Sequence, residues 1–240
     1  QILADALARV QANPDLGGRK SIVLASKAWH PGVIGIVASR MVDLFHRPTV
    51  LIALQEGSGR GSGRSIPGFH LYDALDACSD HLVKFGGHRY AAGLSIDEAT
   101  LERFVERFEE VSAGLLTADD LVPVLWVDAE LSPHEVTADL ANAISSLAPF
   151  GAGNPEPLFV LKSMEIVQRW NVRGNHLKMR LSGTGCTFDA IGFNLAGKED
   201  VLTNKVDIAF NLGWNEWNGR KSLQLNLKDI KASGQEPETC

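Results

Sequence analysis

The residues best suited to chemistry fall in three short segments. Gly57–Ser65, GSGRGSGRS, interleaves glycines with Ser58, Arg60, Ser62 and Arg64. Glycine lets backbone N–H groups approach an anion, and a guanidinium can fork two phosphate oxygens, so Arg60 and Arg64 are candidate phosphate ligands on a glycine-rich loop. It is not a Walker loop, because no lysine follows the last glycine. A flexible hairpin tip has the same composition. Phe85–Gly93, FGGHRYAAG, sets Gly86 and Gly87 before His88. Twin glycines free the chain to turn sharply and present the imidazole, which could donate to a phosphate oxygen or steady a charged transition state. A strand entry with a surface histidine is the plainer alternative. In Trp29-His30-Pro31-Gly32, His30 stands at a helix start, where it either caps the helix or meets a ligand at the positive end.

A fourth group lies further along. Arg169, Trp170, Arg173, His176, Lys178 and Arg180, and later Trp214, Trp217, Arg220 and Lys221, mix cations with aromatic rings. Cations track a nucleic-acid backbone and aromatic faces stack bases with little sequence preference. Arg169, Arg173, Lys178 and Trp217 are the expected strand contacts. The alternative is a solvated cationic face with Trp214 in the core. The chain carries a net charge of −6, so any polyanion contact must be local. There is no DHH triplet, no H-x-D, no Asp/His cluster with two-metal spacing and no Ser/His/Asp order. A self-contained hydrolase is not expected, nor is a metal held by this chain alone. Cys78, Cys186 and Cys240 lie far apart with no C-x-x-C pair, so neither a disulfide framework nor a zinc site is expected, Cys78 falls in the core, and a reducing cytoplasm is the default compartment. No apolar run is long enough to span a membrane.

These residues need elements to hold them. The chain has 240 residues, 45% of them hydrophobic, enough for two domains. Residues 1–13 read as the tail of a helix with Ile2, Leu3, Ala6, Leu7 and Val10 on one face. From 21 to 116, strand and helix patterns alternate: Ser21–Ala25, Pro31–His46, Pro48–Leu54, a stripe from Leu71 to Leu82 and another from Leu101 to Val111. That alternation predicts an α/β domain with helices on a mixed sheet. Ser132-Pro133-His134-Glu135 is a capping box opening a helix through Val136, Leu140, Ile144 and Leu147. After Pro149 the period becomes two, as in Leu177, Met179, Leu181 and in Val206, Ile208, Phe210, Leu212, Trp214. Asn218-Gly219 is a hairpin signal. About five strands with one core face each predict a small β-barrel of the OB type, with a sandwich as the alternative. The expected division is a helix end and linker over 1–18, an α/β domain over 19–118, the barrel with its leading helix over 119–232, and a tail over 233–240.

Five strings, in order, carry a resemblance: WHPGVIGIVASRM (Trp29–Met41), GSGRSIPGF (Gly61–Phe69), FGGHRYAAG (Phe85–Gly93), LAPFGAGNPEP (Leu147–Pro157) and NEWNGRKSLQLNLKDI (Asn215–Ile230). From about residue 19 to 230 the chain resembles the RecJ family of the DHH phosphoesterase superfamily. The resemblance implies a 5′-to-3′ single-stranded-DNA exonuclease of DNA repair and recombination. It implies a DHH domain that holds two Mn²⁺ or Mg²⁺ ions, joined by a long helix to a DHH-associated domain and then an OB-type barrel. Residues 1–13 would be the end of that helix. Ser62 and Arg64 match residues that hold the DNA phosphate near the 5′ end. Gly86, Gly87 and His88 match a glycine-histidine motif facing the metal centre, so His88 would bind charge at the scissile phosphate without being a principal metal ligand. With no DHH domain in these residues, the chain is expected to bind single-stranded DNA but to be nearly inactive. A non-catalytic single-strand-binding module and another DHH-superfamily phosphodiesterase are the alternatives.

Overall fold

The computed structural model describes residues 1–13, 18–151, 153–172, 174–217 and 219–234, without the side chains of 200, 201, 217 and 220. Among the described residues no helix is long and apolar enough to cross a membrane. The chain divides into two compact units, Gln1–Val124 and Leu125–Cys240.

The first unit contains helices α1 (Ile2–Ala12), α2 (Ile34–Phe45), α3 (Leu71–Asp76) and α4 (Leu101–Leu115). Its strands are β1 (Ile22–Ser26), β2 (Thr49–Gln55), β3 (Ser58–Arg64), β4 (Lys84–Gly87) and β5 (Ala91–Asp97), in the spatial order β1-β2-β3-β5-β4. The β1–β2 pair is parallel and the other pairs are antiparallel, so the sheet is mixed as expected. On one face Ile22, Leu24, Leu51 and Ala53 are buried with Ala6 and Val10 of α1 and Ile34, Val37, Ala38 and Met41 of α2. On the other, Val23, Val50, Ile52, Leu94 and Ile96 are buried with Leu71 and Leu75 of α3 and Phe104 and Phe108 of α4. Strands β1 and β2 are covered on both faces, which is why they read as continuous apolar runs. The turn at Pro31–Val33 precedes α2, so the helix begins three residues later than the proline suggests.

GSGRGSGRS is not a loop. It forms β3, an interior strand between β2 and β5. The two-residue turn before it is Glu56-Gly57, at φ of 49° and 81°, the both-positive geometry that suits a tight hairpin. Side chains alternate across a strand, so Gly59, Gly61 and Gly63 share one face and Ser58, Arg60, Ser62 and Arg64 the other. A Cβ at Gly59 would stand 2.7 Å from Ile52 and 2.9 Å from Ile96, and one at Gly61 would stand 2.7 Å from Leu94. The glycines are vacancies that the branched side chains of β2 and β5 fill. Adding a methyl there would force the core apart at a cost of about 1–3 kcal/mol.

The second unit contains β6 (Ala129–Glu130), α5 (Ala138–Ser146), β7 (Phe159–Val172), β8 (His176–Gly183), β9 (Cys186–Gly192), β10 (Lys205–Trp217) and β11 (Arg220–Ala232). The sheet order β10-β11-β9-β8-β7-β6, with β10 also pairing β7, closes β7, β8, β9, β11 and β10 into a five-stranded barrel. The β9–β11 pair is parallel; the other barrel pairs are antiparallel. Closure removes the free edges a sandwich would leave, and the topology is that of an OB barrel. Leu177, Met179, Leu181, Val206, Ile208, Phe210, Leu212, Leu225 and Leu227 fill its interior, the period-two residues of the sequence. Asn218, half of the hairpin signal between β10 and β11, lies outside the described residues.

The expected single helix after Ser132 is broken in two. Pro133–Glu135 is one 3₁₀ turn, and α5 starts separately with Thr137 Oγ1 accepting from Leu140 N–H at 3.2 Å. Thr137 is itself a good N-cap, so it restarts the helix that the capping box opened. In that box Ser132 N–H and Oγ–H both donate to Glu135 Oε2, at 2.7 and 2.8 Å. The backbone bond and then the hydroxyl bond hold the Glu135 carboxyl below its ordinary range. A carboxylate depressed on folding contributes stability above its unfolded pKa and loses it as pH falls through the folded value. We expect Glu135→Gln to lower the urea midpoint at neutral pH, and the gap from the unsubstituted chain to close as the pH is taken below the glutamate range.

Candidate functional site

The face of the first sheet that carries Arg60, Ser62 and Arg64 is only half covered. Helices α1 and α2 lie over β1 and β2 and the first turn of α2 reaches β3, while the remainder of β3 forms a groove with β5 and β4 beside Pro31, Gly32 and Ile34. The groove has a volume of about 660 Å³. Strand register sets what it offers. The row Gly86–Gly93–Ser62 runs across β4, β5 and β3, and the row Lys84–Ser95–Arg60 lies beside it. All six residues line the groove and no carboxylate does.

The floor row is nearly bare of side chains. A Cβ at Gly86 would meet nothing within 4 Å, and one at Gly93 would meet only the Gly61 carbonyl oxygen at 3.8 Å. Neither residue has a positive φ. Packing and backbone strain therefore do not require glycine at 86 or 93. What their hydrogens preserve is open space next to Ser62, where a ligand can lie against the backbone. Gly87 differs: its φ is 150°, and a Cβ there would sit 2.4 Å from the Ala91 carbonyl oxygen. The twin glycines of the motif thus have separate reasons, one for the turn and one for the groove.

Arg64 and His88 stand one row further along. Arg64 pairs with Ala91, and His88 N–H donates to the Ala91 carbonyl at 2.8 Å, so both belong to the row at the end of the sheet. They are not among the residues lining the 660 Å³ groove, whereas Arg60, Ser62 and Gly86 are. Arg64 Nη1 donates to Ser62 Oγ at 3.2 Å and to the Gly63 carbonyl at 2.7 Å. A Cβ at Gly35 would stand 2.9 Å from Ser62 Oγ and 3.2 Å from Arg64 Nη2. The first turn of α2 therefore presses the guanidinium onto the serine hydroxyl. Among the described residues Arg64 has only neutral partners, so its charge is uncompensated, and His88 is exposed. His30 is also exposed, but its Nδ1 accepts from Gly32 N–H at 3.1 Å, which holds the turn before α2.

On the barrel, inward Leu177, Met179 and Leu181 leave His176, Lys178 and Arg180 outward on β8. Lys178 lies opposite Trp170 of β7, with Nζ 5.7 Å from the ring centre. Arg180 pairs with Asp189 across β8–β9 at 3.2 Å. Arg169 reaches the Glu199 carboxylate at 3.5 Å. Arg169 and Arg180 are thus partly neutralised, and Lys178 is the cation left against an aromatic face. Sequence reasoning passed over Phe193, which is 58% exposed and edge-on to His176 at 5.2 Å. Its parity could have found it: Phe188, Ala190 and Gly192 point inward, so Phe193 falls on the wet side. Trp214 is only partly buried; its Nε1 donates to Asn142 Oδ1 at 3.1 Å, and Lys221 Nζ lies 4.6 Å from its ring. Arg173 and the side chain of Trp217 lie outside the described residues. No group of three or more metal-ligating side chains occurs among the described residues.

Comparison with known proteins agrees with both units. Residues 18–114 match the DHHA1 domain family, and residues 127–229 match the RecJ OB domain family. The chain is 35% identical over 219 residues to the single-stranded-DNA-specific exonuclease RecJ of Bacillus subtilis, covering 89% of the chain and 28% of that protein. It is 40% identical over 220 residues to that of Haemophilus influenzae, covering 88% and 38%. The solved structure of RecJ in complex with Mn²⁺ from Thermus thermophilus superposes with a TM-score of 0.79 at 32% identity, covering 100% of the chain and 34% of that structure. The Mg²⁺ complex gives 0.78 at 32% identity, covering 98% and 36%. The chain therefore spans about a third of the length of such relatives.

Substitution of single glycines checks the open floor directly. Gly93→Ala should leave the urea midpoint unchanged or raise it, by up to about 1 kcal/mol, since alanine orders a strand at lower entropic cost. If the floor holds a phosphate ester, the same substitution should weaken its binding roughly tenfold by filling the floor. Gly87→Ala should do the reverse and lower stability first. Equal binding by Gly93→Ala and the unsubstituted chain would mean the floor holds nothing.

Proposed function

The chain belongs to the RecJ family, a DHHA1 domain followed by a RecJ OB domain, and from that premise we propose that it is the strand-holding part of a metal-dependent 5′-to-3′ single-stranded-DNA exonuclease. One observation carries the reading: the groove over β3, β5 and β4 has an open glycine floor, a serine hydroxyl, uncompensated cations and no carboxylate. In a chain of net charge −6, a groove kept free of acids is a local anion site.

In this reading Ser62 and Arg64 hold the phosphate near the 5′ end, Gly86 lets the strand approach while Gly87 makes the turn that carries it, and Arg60 lines the groove. The Arg64–Ser62 hydrogen bond holds the two side chains together, so little side-chain order is lost when phosphate arrives. His88, exposed at the end row, binds charge at the scissile phosphate. Lys178, Trp170, His176 and Phe193 form a strip of cation and ring on the barrel that takes a passing strand by phosphate contact and stacking. Arg169 contributes once released from Glu199, and Arg173 and Trp217 are kept as strand contacts on the sequence alone. His30 supports the wall of the groove rather than the strand.

The described residues do not fit a Mn²⁺ or Mg²⁺ centre, since no three-ligand group is present among them. The ligands would come from a DHH domain outside these 240 residues, for which α1 would be the end of the connecting helix. Bound there, the metals would activate water and neutralise the phosphate. The chain alone would bind DNA and be nearly inactive. A place in DNA repair and recombination, in the cytoplasm, goes with that substrate. The barrel strip alone would suffice for a non-catalytic binding module, but the groove on the other unit would then have no use. Other DHH-superfamily phosphodiesterases are the weaker reading because of the RecJ OB domain.

Binding to a 5′-phosphorylated single strand should fall steeply with salt, with a log–log slope of about −2 to −3 for three or four phosphate contacts. Arg64→Ala should weaken binding to a 5′-phosphorylated end about tenfold and to a 5′-hydroxyl end much less. A flat salt response, or equal loss at both ends, would refute the assignment. Shortening of a 5′-labelled oligonucleotide at an enzyme-like rate by the chain with Mn²⁺ would refute the claim of near-inactivity.

A further inference from the structure

Resting on the reading of Ser62 and Arg64 as the holders of the 5′ phosphate, we infer that Gly35 is a positioning residue for them. Its missing side chain is the room in which the Ser62 hydroxyl and the Arg64 guanidinium stand together beneath α2. Gly35 has no side chain to offer a phosphate and acts through the two that do.

Glycine inside a helix is less favourable than alanine, because it loses more backbone freedom on folding. Gly35 is the second residue of α2, Ile34–Phe45, and is not among the glycines with a positive φ. Backbone conformation therefore gives no reason for glycine there, but the surroundings do. The three atoms nearest a Cβ at this position are Ser62 Oγ at 2.9 Å, Arg64 Nη2 at 3.2 Å and Ser62 Cβ at 3.7 Å. All three belong to the pair assigned to the phosphate. Other glycines of the same unit are constrained by different neighbours. Gly59 and Gly61 meet Ile52, Leu94 and Ile96 of the core, and Gly87 meets the backbone at Ala91. Gly114 of α4 meets nothing within 4 Å.

Neither wall can retreat to admit a methyl group. On α2, Ile34, Val37 and Ala38 are buried in one cluster with Leu51 and Ala53 of β2, which fixes the height of the helix above the sheet. Strand β3 is held by backbone pairing on both sides, to β2 and to β5. The parts that can yield are the ends of the two polar side chains. A methyl at position 35 would turn the hydroxyl and the guanidinium aside and break the 3.2 Å hydrogen bond from Arg64 Nη1 to Ser62 Oγ. The core would stay as it is, and the phosphate would meet two side chains that must be ordered anew.

The test measures, on the 240-residue chain, the urea midpoint and the affinities for a thymidine oligonucleotide with a 5′ phosphate and for the same oligonucleotide with a 5′ hydroxyl. Gly35→Ala should leave the urea midpoint unchanged or raise it. It should weaken binding of the phosphorylated strand about tenfold and leave the 5′-hydroxyl strand nearly unaffected. Gly114→Ala should move the midpoint the same way and change neither affinity. Ser62→Ala removes the atom nearest the added methyl, so in that background Gly35→Ala should cost about threefold or less, a coupling that a general structural role would not produce. A urea midpoint lowered by Gly35→Ala would show that the glycine serves the fold. That result, an intact preference for the 5′ phosphate, or an equal loss with and without Ser62 would overturn the inference while the phosphate site stands. If Ser62→Ala and Arg64→Ala both leave the preference for the 5′ phosphate intact, the phosphate site itself is wrong and the inference falls with it.

Discussion

Three glycines packed under branched side chains organise the first unit. With Gly59 and Gly61 giving way to Ile52, Leu94 and Ile96, and Gly63 to Leu71 and Val50, β3 can lie in the middle of the sheet with no side chain on its core face. Every polar residue of the strand is then forced to the opposite face by alternation. On that face α2 covers β3 only in part, and its first turn meets Ser62 and Arg64. The groove is the uncovered half of a sheet whose other half is capped, and its chemistry follows from which residues the pleat turns outward. The same pairing carries Gly86 and Gly93 into line with Ser62, so the floor is set by strand register across three segments far apart in sequence.

The barrel solves a different problem. Its strands are held by closure through the β10–β7 pairing, and its core is filled by large apolar side chains at every second position. Among the described residues glycine makes room there only at Gly183, beside Met164, and at Gly192, beside Leu195. Here charge is mostly compensated: Arg180 has Asp189, Arg169 has Glu199, Lys198 has Asp229 and Lys162 has Glu130. Exposed pairs of this kind contribute little to stability and leave little free charge. The contrast with the groove of the first unit, where Arg60 and Lys84 have no such partners among the described residues, shows that placement of acids matters more than the number of cations.

Much of this was legible in the letters. Period two in Leu177–Leu181 and Val206–Trp214 determined barrel strands with one core face, and these residues are indeed interior or partly so. The apolar runs of β1 and β2 and the stripes of α3 and α4 marked an α/β layer structure, because burial on two faces and on one face leave different periods. Five ordered strings sufficed to place the chain beside the RecJ family. The capping box at Ser132 is present in both its hydrogen bonds, but the helix expected after it is not continuous, because Thr137 offers a second start that the pattern does not rank.

Other features existed only once the chain was folded. GSGRGSGRS reads as a flexible loop because glycine and serine have no periodic apolar face of their own; the side chains that make it a strand belong to β2 and β5. The separation of Gly86 from Gly87, one lining open space and one bound to a left-handed backbone, depends on Ala91 and Gly93 across the hairpin. The meeting of Lys84, Ser95 and Arg60 depends on pairing between residues 35 and 11 apart in sequence. The sequence alone determined which residues could be buried and which could carry charge, since those are properties of single side chains and their local period. Only tertiary structure decided which charges share a face and which glycines leave room, because both depend on neighbours that register brings in from elsewhere.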